Sequence, residues 1–247
     1  MVIFLRTLGY AACLVLSLAM GGADAATAIA TESRYVTIAQ VDLGQILPPP
    51  PSPGSLEEKR DVEAVIDASL RRSPLEADHA HADGAISVLR FADVLGEGFS
   101  AENMPFAVPF FGQVASDAHA IVGAAKVEFD RLRPFVVDSR VRPIGNDIEV
   151  VAAPRHRSGS YPSGHATFAY VTSVLLAVMV PEKSAEIFTR AAAYAQNRLV
   201  AGVHYPTDID AGRIAGTVIA NILLHDSRFL GDFARARTEV RHAAGLE

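Results

Sequence analysis

The feature that most constrains the fold is an apolar run at residues 166–180, ATFAYVTSVLLAVMV. A second apolar run follows at residues 214–224. Both runs are shorter than the roughly 20 residues that an apolar helix needs to cross a bilayer. Both also contain hydroxyl or amide side chains, namely those of Thr167, Thr172, Ser173, Thr217 and Asn221. The two runs therefore predict helices in the core of a soluble protein and not membrane spans.

The rest of the chain shows further helical patterns and few strand signals. Ser55 and Glu58 form a capping-box pattern, and apolar residues recur behind them at helical spacing as far as the break at Pro74. Residues 135–160 show no clear period, which predicts a long loop. Other helices are predicted around 86–95, in the segment that ends at Arg133 and Pro134, at 182–200, at 208–224 and in the charged tail. The chain is thus predicted to form one all-α domain, a helical bundle, over residues 55–247.

The amino-terminal residues predict a secretory signal peptide followed by a leader outside this domain. Arg6 precedes an apolar stretch, and small residues follow it at Ala23 and Ala25 in an A-x-A arrangement. We therefore expect residues 1–25 to be removed and the mature protein to be periplasmic or secreted. Residues 26–54 include four consecutive prolines and predict an extended, proline-rich leader.

Composition excludes several classes of partner and of chemistry. The formal net charge is −6, so the chain offers no basic surface to a nucleic acid or to an anionic membrane. The single cysteine, Cys13, lies inside the predicted signal peptide. The mature protein is therefore expected to have no disulfide, no thiol nucleophile and no thiolate metal site.

Two clusters of functional residues lie at predicted helix ends. Lys126 and Arg133 are seven residues apart, or two helical turns, so we expect both side chains on one helix face. The sequence Pro162-Ser163-Gly164-His165 stands directly before the first apolar run. Ser163 is a favoured N-cap, and a helix end that begins with Gly164 can approach an anion closely.

A third cluster lies in NRLVAGVHYPTD, residues 197–208. Arg198 is near the end of one predicted helix, Gly202 breaks that helix, His204 lies in the turn, and Asp208 opens the next helix. Across the three clusters, basic side chains and helix-end groups are suited to neutralising the oxygens of a tetrahedral dianion. The two histidines could supply a nucleophile and an acid, and Asp208 could hold one of them in the correct tautomer.

The order and spacing of the clusters resemble a known superfamily signature. K-x6-R-P, P-S-G-H and S-R-x5-H-x3-D are shared by type 2 phosphatidic acid phosphatases, bacterial class A nonspecific acid phosphatases and vanadium haloperoxidases. They stand here as KVEFDRLRP, PSGH and NRLVAGVHYPTD, with Asn197 in place of the usual serine. The signal peptide, the LPPPP leader and the GSYPSGH context are most similar to the class A acid phosphatases.

The resemblance implies a helical fold of this type and a role for each matching residue. His204 would attack phosphorus and form a phosphohistidine, Asp208 would accept a hydrogen bond from its other ring nitrogen, and His165 would protonate the leaving alcohol and later activate water. The resemblance also implies that the substrates are small phosphomonoesters, that no metal or cofactor is needed, and that the protein could form a homo-oligomer. The phosphate-binding residues would be Lys126, Arg133, Ser163, Gly164 and Arg198.

Three other functions remain open from the sequence. A vanadate-dependent haloperoxidase would use the same pocket with vanadate bound through His204, although we would expect a longer chain. A catalytically silent periplasmic phosphate-binding protein would not need both His165 and His204. A lipid pyrophosphatase is disfavoured because the chain has no apolar segment of bilayer length.

Overall fold

The computed structural model describes residues 33–144 and 159–246. The predicted signal peptide and part of the predicted loop at 135–160 lie outside the described residues. Helices of nine or more residues make up most of this part of the chain, and it contains no β-strand. They are α1 (Leu56–Arg71), α2 (Pro74–Ala82), α3 (Ala107–Phe129), α4 (Gly164–Met179), α5 (Ser184–Val200), α6 (Pro206–Leu223) and α7 (Ser227–Ala243). The prediction of an all-α helical bundle is confirmed.

Shorter helical segments connect these elements. The segment predicted as one helix around residues 86–95 is a 3-10 helix at Val88–Phe91 followed by a four-residue α-helix at Ala92–Leu95. Gly96 ends it with a positive φ of 107°, a conformation that suits glycine. Three further short helices lie at Leu43–Ile46, Pro134–Val137 and Pro181–Lys183.

Helix α4 forms the centre of the bundle and packs mainly on α6 and α5. Its apolar side chains Val171, Leu175 and Leu176 are fully buried. Residues before the predicted domain boundary at residue 55 also belong to this core, since Tyr35, Val36, Val41, Leu43 and Leu47 are buried in the same cluster. Part of the segment predicted as a leader therefore contributes to the packing of the bundle.

Two glycines of α6 allow its backbone to approach α4 closely. A Cβ atom on Gly212 would lie 2.6 Å from the backbone oxygen of Ser163, and one on Gly216 would lie 2.5 Å from that of Thr167. Neither backbone oxygen can move away without disturbing α4, because Ser163 caps this helix and Thr167 lies in its first turn. The spacing of the two glycines along α6 thus fixes how the two helices lie together.

The prediction that the helix containing Lys126 continues to Arg133 is wrong. Helix α3 ends at Phe129, because Asp130 adopts a left-handed conformation with a φ of 43°. Arg133 is extended, and Pro134 begins the next short helix, a position where its missing N–H costs nothing. The chain therefore turns between the two basic residues, which are not on one helix face.

Within residues 33–144 and 159–246, no helix is both long enough and apolar enough to span a membrane.

Replacing Gly216 with alanine should destabilise the fold, because the added methyl group would force the backbone of α4 away from α6. We expect a loss of about 1–3 kcal/mol in the free energy of unfolding, measured by urea titration. Gly231 of α7 is an exposed helical control, with nothing within 4 Å of an added Cβ atom. Its replacement with alanine should raise stability by up to about 1 kcal/mol. A Gly216→Ala protein as stable as the Gly231→Ala protein would contradict this account of the packing.

Candidate active site

The three clusters of the sequence come together around His204. This histidine lies in the turn between α5 and α6 and is almost completely buried. Gly202 shapes the turn with a φ of 74°, and a side chain there would press on the backbone of Pro143 and Arg142. The pKa of His204 is well below its usual value because of burial and, after that, because of nearby positive charges at Arg133, Lys126 and Arg198.

Asp208 and Arg133 both contact the ring of His204. Nδ1 is 3.2 Å from Oδ2 of Asp208, and Nη1 of Arg133 is 2.8 Å from Nε2 and 3.4 Å from Nδ1. A carboxylate only accepts hydrogen bonds. Neutral His204 therefore carries its hydrogen on Nδ1 and leaves Nε2 unprotonated.

Asp208 lies in the first turn of α6 and is completely buried. Its Oδ2 atom also accepts hydrogen bonds from the Ser160 hydroxyl at 2.5 Å and from the Tyr205 backbone N–H at 3.0 Å. Its Oδ1 atom accepts one from Nη1 of Arg131 at 2.7 Å. Ser160 and Arg131 were not among the predicted site residues. Arg131 lies between Lys126 and Arg133 in KVEFDRLRP, but nothing in its spacing distinguishes it from a surface arginine.

The basic residues Lys126 and Arg133 reach the site from the two sides of the turn after α3. Lys126 donates hydrogen bonds from Nζ to the backbone oxygens of Gly159 and Ser160. Nη1 of Arg133 donates to the backbone oxygen of Val203 at 2.8 Å. Burial, followed by the charge of Arg133, holds the pKa of Lys126 well below its usual value. An anion placed between these side chains would relieve that repulsion.

The carboxyl end of α2 and the residues just after it contact the other two predicted site residues, His165 and Arg198. The backbone oxygen of Gly84 is 3.0 Å from Nε2 of His165, and that of Ala80 accepts a hydrogen bond from Nη1 of Arg198 at 3.2 Å. Burial, followed by the charge of Arg198, lowers the pKa of His165 to about 3. Both histidines are therefore neutral at ordinary pH in this arrangement.

The amino end of α4 faces the same region. The Ser163 hydroxyl oxygen caps the helix by accepting a hydrogen bond from the N–H of Ala166 at 3.3 Å. The backbone N–H of Ser163 donates to the backbone oxygen of Asp208 at 2.9 Å, which joins the second cluster to the third. The hydroxyl hydrogen of Ser163 takes no part in either bond, so it can be donated to an anion. Gly164, the first residue of α4, adds a helix-end amide.

The side chain of Asn197, the one departure from the superfamily signature, binds a carboxylate outside the three motifs. Its Nδ2 atom donates to Oδ2 of Asp83 at 2.7 Å. Asp83 is buried and also pairs with Arg190 and Arg90. Asn197 therefore belongs to a buried ionic cluster behind the site.

The arrangement is suited to holding a tetrahedral anion between basic side chains and a nucleophilic nitrogen. In the described part of the chain, no group of three or more His, Cys, Asp or Glu side chains is arranged to hold a metal ion. The residues that converge are those that bind oxyanions and transfer protons.

Comparison with known proteins is consistent with this geometry. The family model described as the PAP2 superfamily matches residues 107–231. An acid phosphatase of Zymomonas mobilis subsp. mobilis is 27% identical over 201 residues, which cover 80% of this chain and 75% of the relative. A non-specific acid phosphatase of Salmonella typhimurium is 27% identical, over 81% of this chain and 80% of the relative, and one of Providencia stuartii is 25% identical, over 81% of each. These matches confirm the resemblance indicated by the three motifs.

The lowered pKa of His165 predicts a pH dependence of stability. Between its folded pKa of about 3 and its usual value of 6.5, the unfolded chain binds a proton at this residue that the folded protein does not. Stability contributed by neutral His165 is therefore complete above pH 6.5 and is lost as the pH falls towards 3. A His165→Asn variant should reduce the slope of unfolding free energy against pH by about 1.4 kcal/mol per pH unit. Denaturant titrations at a series of pH values in this window measure it.

The matched control for this measurement is His119→Asn, because His119 is exposed on α3. This variant should keep the wild-type slope. A His165→Asn protein with an unchanged slope would show that His165 titrates normally in the folded protein.

Proposed function

Because the chain belongs to the PAP2 superfamily, we propose that it is a secreted acid phosphatase that hydrolyses small phosphomonoesters through a phosphohistidine, without a metal. The observation that carries the proposal is the pairing of His204 with Asp208 close to the basic side chains of Lys126, Arg133 and Arg198. The acid phosphatase names of the relatives support the same reaction class. Secretion rests on the predicted signal peptide at residues 1–25.

In the first step, Nε2 of His204 attacks phosphorus. Asp208 accepts a hydrogen bond from the Nδ1–H group of His204. The positive charge that develops on the ring is therefore stabilised by a carboxylate 3.2 Å away. Nη1 of Arg133 lies 2.8 Å from the same Nε2 atom, so the guanidinium must turn towards a phosphate oxygen before attack. Lys126, Arg198, the Ser163 hydroxyl and the Gly164 amide bind the remaining phosphate oxygens, whose charge they stabilise in the transition state.

His165 protonates the leaving alcohol and then removes a proton from the attacking water. For the first task it must be protonated, although burial and neighbouring charge lower its pKa to about 3. A phosphate dianion among the basic side chains offsets the charges that lower this pKa. Substrate binding therefore favours the acid form of His165 at the pH where an acid phosphatase works.

The number of groups in the site matches the difficulty of the reaction. Phosphate monoester hydrolysis needs accelerations of up to about 10²¹-fold. One general acid supplies about 10²–10⁴-fold, and one fixed donor about 10²–10³-fold. Several donors, an acid and a covalent intermediate must therefore act together, and the residues around His204 can provide them.

The main test is phosphate release from p-nitrophenyl phosphate between about pH 4 and about pH 8 with EDTA present. We expect EDTA-resistant activity with an acid optimum, together with an acid-labile phosphoenzyme that can be trapped during turnover. His204→Ala should lose both while keeping the wild-type helical circular dichroism. A folded wild-type protein without activity would contradict the proposal, and vanadate-dependent halide oxidation would then identify a haloperoxidase.

A second test separates the roles of the two histidines through the leaving group. In His165→Ala, turnover of an alkyl phosphate should fall by about 10²–10⁴-fold because its alkoxide needs a proton. Turnover of p-nitrophenyl phosphate should fall much less, because p-nitrophenolate leaves readily without one. Equal losses with the two substrates would exclude His165 as the acid.

A further inference from the structure

Arg131 is a buried charge directly behind the nucleophile. Its side chain is 8% exposed, and it follows the left-handed residue Asp130 that ends α3. A charged group in such a position destabilises the fold unless its hydrogen bonds are satisfied. The partners of Arg131 therefore indicate what the residue does.

The guanidinium of Arg131 joins two buried carboxylates on different helices. Nη1 donates to Oδ1 of Asp208 and to Oγ of Thr207, both at 2.7 Å. Nη2 donates to Oδ2 of Asp61 on α1, also at 2.7 Å. Its Cζ atom lies 3.9 Å from the centre of the Tyr205 ring, so one face of the group is covered as well. The orientation of Arg131 is thus fixed from several directions.

Arg131 binds the oxygen of Asp208 that faces away from its other described donors. The Ser160 hydroxyl, the Tyr205 N–H and His204 all bind Oδ2, whereas Arg131 binds Oδ1. Arg131 therefore fixes the rotation of the carboxylate about its Cβ–Cγ bond. In this orientation Oδ2 accepts the hydrogen bond from Nδ1 of His204, which leaves Nε2 able to act as the nucleophile.

We propose that Arg131 is a positioning residue that keeps the Asp208 carboxylate in the orientation that holds His204 in its Nδ1–H tautomer. The inference rests on the proposed function for its catalytic consequence. Without Arg131, Oδ1 of Asp208 is buried without its donor, so the carboxylate either rotates or moves towards other donors. Both changes weaken its acceptance of the Nδ1 hydrogen and move some His204 to the Nε2–H tautomer, which cannot attack phosphorus.

The test compares Arg131→Gln with wild type by ¹⁵N NMR of the histidine side chains, with the His204 signals assigned from a His204→Gln sample. We expect wild type to show His204 protonated on Nδ1 and Arg131→Gln to show a larger Nε2–H population. The kcat for p-nitrophenyl phosphate should fall about 10- to 100-fold, a loss typical of removing a group that orients a functional histidine. KM should stay unchanged, because Arg131 donates to carboxylates and not to phosphate.

Arg190→Gln is the matched control. Arg190 is also a buried arginine paired with a buried carboxylate, at 3.0 and 2.6 Å from the oxygens of Asp83, but its described contacts do not include Asp208. This variant should leave the His204 tautomer unchanged, even if it lowers stability. A tautomer shift of equal size in both variants would overturn the proposal, because it would reflect general loosening of the core.

Arg131→Lys keeps the test decisive if Arg131→Gln does not fold. Lysine retains the charge but cannot make the planar pair of contacts to both carboxylates. Its kcat and its Nδ1–H population should fall between those of wild type and Arg131→Gln. A folded Arg131→Lys protein with a wild-type tautomer and wild-type kcat would overturn the proposal. The NMR result does not require turnover, so a tautomer shift in a protein without phosphatase activity would refute the proposed function and leave the role of Arg131 standing.

Discussion

The close approach of α4 and α6 is the constraint on which the candidate site depends. Gly212 and Gly216 have no side chains to keep the helices apart, and added Cβ atoms would lie 2.6 and 2.5 Å from backbone oxygens of the facing residues. Because α4 begins at Gly164 and Asp208 lies in the first turn of α6, this packing places the two amino-terminal ends side by side. Helix amino ends favour anions, and here two of them flank the same histidine pair. The small residues in the middle of α6 are therefore as necessary to the site as the residues of the motifs.

Basic side chains and backbone carbonyls surround the two histidines. Lys126, Arg133 and Arg198 each donate a hydrogen bond to a backbone oxygen. Burial, followed by the positive charges nearby, lowers the pKa of both histidines. The carboxylate of Asp208 is placed behind His204, where Arg131 and the Ser160 hydroxyl also bind it.

The sequence contained enough information to predict the helical fold and the grouping of three motifs, because both depend on short-range patterns. His204 and Asp208 are four residues apart, so a turn that opens a helix brings them together almost regardless of the rest of the fold. The turn after α3 could not be predicted in the same way, since it depends on one left-handed residue, Asp130. The same turn directs Arg131 inwards, towards Asp61, 70 residues away in the sequence. Asp61 lies among charged residues in LEEKRD, where periodicity gives no sign that its carboxylate is buried.

Asn197, the departure from the superfamily signature, belongs to the support of the candidate site. Its amide binds Asp83, the residue before Gly84, and the backbone oxygen of Gly84 is the partner of His165. Asn197 also directly precedes Arg198, whose guanidinium binds the backbone oxygen of Ala80 at the same end of α2. The bond from Asn197 therefore ties α5 to the segment that orients both His165 and Arg198. Asp83 keeps Arg190 and Arg90 as further partners, so a substitution at Asn197 would mainly alter the alignment of His165 and Arg198.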